Sequence, residues 1–156
     1  MIGFTVLGHP EPAGSKRAFA VRKRGVLTGR VAVSDDNPKA KSWQRDIASA
    51  AVEAMTGPLG LEPVLLDCAL SLDIRFYFAR PRGHFGTGRN SDKLKPSAPP
   101  YPTVRPDVTK LVRAVEDALT GVLWRDDSLV ITQLAAKLYG EPERAVIRIY
   151  PIAAEP

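Results

Sequence analysis

The apolar positions change their period several times along the chain, and each change marks an element. Residues 2–7 (IGFTVL) form a short β-prone run ended by Gly8-His9-Pro10, which predicts a strand and a turn. From Asn37-Pro38, a pair suited to a helix N-terminus, Trp43, Ile47, Ala50, Ala51 and Ala54 recur near helical spacing as far as Met55. After the break Gly57-Pro58-Leu59-Gly60, the segment Val64–Ala79 is dense in aliphatic and aromatic residues and predicts one long strand. The helical period returns at Asp107, with Leu111, Val115, Ala118, Leu119 and Val122 on one face and Thr109, Lys110, Arg113, Glu116 and Asp117 on the other. Gly121 closes this second helix. Two further β-prone runs, Leu129–Tyr139 and Ala145–Ile152, are joined by Gly140-Glu141-Pro142-Glu143. The order predicts an α+β fold, a single small domain over residues 1–156 with a mixed or antiparallel sheet and two helices on one face.

Two stretches interrupt this pattern. Around residues 14–36, short apolar runs flank a basic, glycine-containing connection, which fits a basic hairpin or a mobile loop. Residues 80–106 are a long basic connection, and five of the chain's fourteen prolines fall between Pro96 and Pro106. Connections of this length in a compact domain usually carry function or are disordered.

Composition narrows the class. With 156 residues, 44% hydrophobic and 25% charged, the chain can bury a core without covalent staples. A lone cysteine, Cys68, excludes an intramolecular disulfide or a thiolate metal site, and no apolar run reaches the roughly 18 residues of a membrane span. A cytoplasmic protein is expected. The net charge of +5 is unevenly spread: residues 16–45 and 75–113 each hold nine Lys/Arg against two Asp, leaving the remainder acidic. Two basic tracts suit a polyanion such as nucleic acid, although solvated surface loops would look the same.

Against this basic background, Asp107, Asp117, Asp126 and Asp127 crowd into 21 positions. Carboxylates with no neighbouring histidine or cysteine suit a hard, oxygen-seeking cation such as Mg²⁺. Such an ion could activate water and neutralise charge at a scissile phosphate. Each residue also has a plain structural role: Asp107 as helix N-cap, Asp117 as a solvated helix residue, Trp124 as core, and Asp126-Asp127 as a turn.

The arrangement Arg105-Pro106-Asp107, then Leu111, Ala114-Val115, Asp117-Ala118-Leu119, Gly121 and Trp124-Arg125-Asp126-Asp127, resembles the signature of RusA-like crossover junction endodeoxyribonucleases. Gly14-Ser15-Lys16-Arg17 is similar to a looser family feature. The resemblance implies a Mg²⁺-dependent endonuclease, with Mn²⁺ as a substitute, that acts as a homodimer on four-way DNA junctions and nicks two strands in recombination and repair. Bacterial or phage origin is the setting it implies.

By position, the resemblance makes Asp107 and Asp127 catalytic metal-site residues and Asp126 a weaker metal candidate. Three positions depart from the family pattern. Thr109 replaces an aspartate, keeping an oxygen donor but no charge; Lys110 replaces an asparagine; and Arg113 stands at the catalytic lysine position, where a guanidinium binds phosphate but donates no proton readily. Asp73 and Asp117 are expected as possible substitutes for the missing carboxylate. The basic residues Lys16, Arg17, Arg22, Lys23 and Arg24, then Arg80, Arg82, Arg89, Lys93, Lys95, Arg105 and Lys110, become expected DNA contacts. His84 and Phe85 would wedge into an opened junction or pack on their own domain. His9 reads as a turn residue. The alternative function is a junction-binding protein on the same fold with weak or absent cleavage.

Overall fold

A computed structural model describes the backbone of residues 1–14, 16–35, 37–57 and 64–153; side chains of 16–23, 27 and 30–35 are outside this description. The apolar rows decide the architecture. Strand β1 (Ile2–Leu7) pairs antiparallel with β6 (Arg144–Pro151), β6 pairs antiparallel with β4 (Leu70–Phe78), and β4 pairs in parallel with β5 (Val130–Tyr139). The resulting mixed sheet has the order β1-β6-β4-β5. Leu70, Leu72, Ile74, Phe76 and Phe78 of β4 alternate inward, in register with Ala145, Ile147 and Ile149 of β6, so one sheet face is continuously apolar.

Helices α1 (Ala40–Thr56) and α2 (Val108–Leu119) cover that face. Trp43, Ile47 and Ala51 of α1 and Leu111, Ala114, Val115 and Leu119 of α2 are buried against it. The chain enters α1 through a turn in which Asn37 Oδ1 accepts from the Lys39 N–H at 3.1 Å, where the Asn-Pro signal predicts the helix start. The parallel pairing of β4 with β5 requires a long crossover, and α2 is its helical part.

The α+β fold with two helices on one sheet face is therefore as expected, with corrections of detail. Of the two readings of the first basic stretch the hairpin is the one found, β2 (Lys16–Lys23) with β3 (Val26–Asp35), turning at Arg24-Gly25. Both turn residues have positive φ, 50° and 82°, as a tight turn matching strand twist demands. The single strand expected from Val64 to Ala79 begins only at Leu70. Val64 and Leu65 are exposed, and the Leu66 N–H donates to the Leu123 carbonyl at 2.8 Å, so this segment runs beside the turn after α2 instead of in the sheet. The last two strands do not pair with each other; they flank β4 on opposite sides.

The 80–106 connection is organised. Short 3-10 turns at Arg82–His84 and Gly88–Asn90 are joined by backbone bonds, among them Gly86 N–H to Lys93 O at 2.9 Å and Lys95 N–H to His84 O at 2.9 Å. His84 and Phe85 pack back as ordinary loop residues, His84 meeting the Tyr139 ring edge-on with centroids 5.6 Å apart. His9 is a turn residue held by the Glu143 carboxylate at 3.0 Å. No helix among the described residues is long and apolar enough to cross a membrane.

Candidate active site

Helix α2 buries one stripe and presents the opposite one beside the edge strand β5. Thr109, Val112, Arg113 and Glu116 follow the i, i+3, i+4, i+7 rule and so line up along the helix. Gln133 and Ala135 of β5 are in register with Leu72 and Ile74, which puts them on the helix-facing side of the sheet. Between them lies a cleft of about 480 Å³, lined also by Asp117 and Asp127.

Asp127 reaches this cleft because of the turn that follows α2. Gly121 has φ 77° and donates its N–H to the Trp124 carbonyl at 2.7 Å, while the fully buried Trp124 indole bonds Thr120 Oγ1 at 3.2 Å. The chain is thereby folded back along its own helix. The Asp126 carboxylate then accepts the Ser128 N–H at 2.9 Å, capping a 3-10 turn at Asp127–Leu129. Hydrogen bonding from Ser128, first by its side chain and next by its backbone N–H, holds the Asp126 carboxyl below its usual range. Asp126, expected as a weak metal ligand, is thus engaged in shaping the turn that presents Asp127.

The electrostatics of the cleft single out Glu116. Burial, and next the charge of Asp127, raise its pKa above the usual glutamate value; a hydrogen bond from Gln133 Nε2 and the Arg113 charge act in the opposite direction. Glu116 and Asp127 therefore feel each other across the cleft. In the sequence, Glu116 stands on the polar face of α2 without a role. Its signal is its place two helical turns after Thr109 on the same stripe.

Asp107 lies elsewhere. It occupies the N-cap position of α2 with extended backbone, yet its side chain makes no capping hydrogen bond. It lines a neighbouring cleft of about 420 Å³ with His9, Glu11, Pro12, Arg105, Pro106 and Lys110. The turn before it is tied to β5 by Lys137, whose ammonium donates to the carbonyls of Val104 at 2.7 Å and Pro106 at 2.9 Å. Asp107 and Asp127 thus open onto adjacent clefts around the start of α2. Asp73 does not substitute for the missing carboxylate. It faces the outer side of the sheet, 3.9 Å from Arg75 and 3.9 Å from Arg148.

Among the described residues no three His, Cys, Asp or Glu side chains converge as a metal cage. The donor chemistry of the α2/β5 cleft nevertheless fits magnesium, which characteristically takes one or two protein carboxylates, several waters and substrate phosphate oxygens. Asp127 and Glu116 are the two carboxylates, and Thr109 and Gln133 add neutral oxygens.

The expected DNA contacts fall into three groups. Arg24, Arg82, Arg89, Lys93, Arg105 and Lys110 are exposed. Arg80 and Lys95 are turned to structural use: the Arg80 guanidinium donates to Pro99 O at 3.0 Å and stacks over Tyr139 at 4.2 Å, and Lys95 Nζ donates to Gly83 O at 2.8 Å. The side chains of Lys16, Arg17, Arg22 and Lys23 lie outside the described residues, on the β2–β3 hairpin.

Comparison with known proteins identifies the family. A family model described as endodeoxyribonuclease RusA matches residues 10–150. The chain is also 28% identical over 153 residues to YqaN, an uncharacterized protein of Bacillus subtilis (strain 168), with 98% of each chain covered.

Proposed function

This chain belongs to the RusA endodeoxyribonuclease family, and from that membership we propose that it is a structure-specific endonuclease that resolves four-way DNA junctions as a Mg²⁺-dependent homodimer. The observation that carries this reading is the α2/β5 cleft, which Asp127 and Glu116 line together with Arg113. A bound divalent cation supplies charge neutralisation and Lewis acidity at the phosphate. Arg113, permanently charged and forked, holds non-bridging phosphate oxygens and steadies negative charge as it accumulates in the transition state. The backbone leading to Asp127 is held by the Trp124 turn, so the residue lines the cleft before substrate arrives. Asp107, at the neighbouring cleft, flanks the phosphate path with Arg105 and Lys110.

The homodimer follows from the chemistry of the substrate. Among the described residues one chain offers one such cleft, and paired nicks in a branched DNA need two, related by the symmetry of the junction. The exposed basic residues of the 80–106 connection, with Arg24 at the turn of the β2–β3 hairpin, hold the backbone without reading sequence.

A synthetic four-way junction and a linear duplex, each with Mg²⁺ or EDTA, test this reading. Paired nicks on the junction that need the metal and disappear in Asp127→Asn are expected. Tight junction binding without cleavage in either Mg²⁺ or Mn²⁺ supports the second reading, a non-cleaving junction binder, which Thr109 and Arg113 favour because they remove a charge and a proton donor. Failure to bind DNA at low salt removes both.

A further inference from the structure

We propose that Glu116 is the carboxylate that compensates for Thr109, so that the divalent cation of this protein sits between Glu116 and Asp127, displaced along α2 from the helix start. The inference rests on the endonuclease reading above and adds to it a residue outside the signature. Glu116 is seven residues beyond Thr109, two helical turns along one stripe, a rise of roughly 10 Å. Helical side chains lean toward the N-terminus, and a glutamate is one methylene longer than an aspartate, so its carboxylate reaches back over part of that distance. Gln133 donates to Oε1 from the facing strand, which fixes the rotamer and leaves Oε2 for a cation.

Charge points the same way. The cleft is lined by Glu116, Asp117 and Asp127 against a single cation, Arg113, a surplus of two negative charges that a divalent ion matches. The other carboxylates are placed less well. Asp107 lines the neighbouring cleft, Asp73 is on the outer face of the sheet between two arginines, and Asp117 also borders the groove between α2 and α1 beside Lys41 and Arg45. Glu116 alone combines the Thr109 stripe, proximity to Asp127 and an orienting partner on β5.

The test is Mn²⁺ binding to the full-length protein by electron paramagnetic resonance, with and without a four-way junction. Glu116→Gln is expected to weaken Mn²⁺ binding at least about tenfold, because ligand charge count sets affinity at such sites. Adding Thr109→Asp to Glu116→Gln restores most of it, and Asp73→Asn has no effect. Wild-type affinity in Glu116→Gln overturns the proposal, as does a loss that Thr109→Asp fails to restore or a loss confined to Asp117→Asn. Circular dichroism of the near-isosteric Glu116→Gln variant separates loss of a ligand from loss of fold. A wild type that neither binds Mn²⁺ nor nicks the junction overturns the endonuclease reading itself; a metal-dependent nuclease in which Glu116→Gln binds normally overturns only the role of Glu116.

Discussion

Lys137 and Pro106 are joined by a hydrogen bond of 2.9 Å from the ammonium to the backbone carbonyl, and the same ammonium reaches Val104 O at 2.7 Å. An edge strand thus holds the turn immediately before Asp107. Removing the ammonium in Lys137→Met leaves two carbonyls without this donor and is expected to cost about 1–3 kcal/mol, measured by urea denaturation. Junction nicking should fall with it while Mn²⁺ affinity stays near wild type, since the ammonium bonds the turn before α2. Lys137→Arg should recover part of the loss.

Trp124 anchors the turn that delivers Asp127, and its indole is fully buried. Trp124→Ala is expected to destabilise the fold by roughly 3–5 kcal/mol, seen as a lower denaturation midpoint. Trp124→Phe keeps most of the apolar volume but loses the bond to Thr120. It should retain the fold and show slower nicking.

Glu116 links stability to pH with a definite sign. Its pKa is raised in the folded chain, chiefly by burial. Its stabilising contribution is therefore complete below the ordinary glutamate pKa and is lost as pH rises through the raised value. At neutral pH in EDTA, Glu116→Gln should melt higher than wild type, and the difference should vanish at about pH 4. Mn²⁺ should raise the wild-type melting temperature and leave Glu116→Gln nearly unchanged. Scanning fluorimetry across pH, with and without metal, reads all of these; a Glu116→Gln chain that melts lower than wild type at neutral pH in EDTA contradicts the argument.

The basic residues separate by use. If about six phosphates are neutralised per protomer, log affinity should fall against log salt with a slope of about −5. Arg89→Ala should reduce that slope by about 0.9 with no change in melting temperature. Arg80→Ala should act differently, lowering the melting temperature, because its guanidinium braces Pro99 and the Tyr139 ring. Salt titrations of junction binding beside melting curves distinguish the two.

Periodicity made the helices and most strands legible, because each buries one face and the buried rows recur at 3.6 or 2 residues. It failed at Val64–Cys68, where apolar residues serve the turn after α2 through Leu66 and Leu123 rather than the sheet. Strand order was not readable, since nothing local tells β6 to enter between β1 and β4. The ordered motif from Arg105 to Asp127 falls on α2 and the turns that flank it. It could not show that Asp107 and Asp127 open onto neighbouring clefts, or that Asp126 spends its carboxylate on Ser128. Glu116 stands on the polar face of α2 in the sequence without a role, because the neighbours that single it out, Gln133 and Asp127, are brought to it only by the tertiary structure.

The parallel pairing of β5 with β4 leaves β5 at the rim of the sheet, with α2 alongside. A cleft built there has an open ledge along its outer side instead of a closing wall. A stiff polymer backbone can be laid along such a ledge from outside, one phosphate dropping between helix and strand while its neighbours stay on the basic loops. Selection among DNA shapes then falls to whatever fixes the angle of approach, since the ledge itself admits any phosphodiester that can lie flat against it.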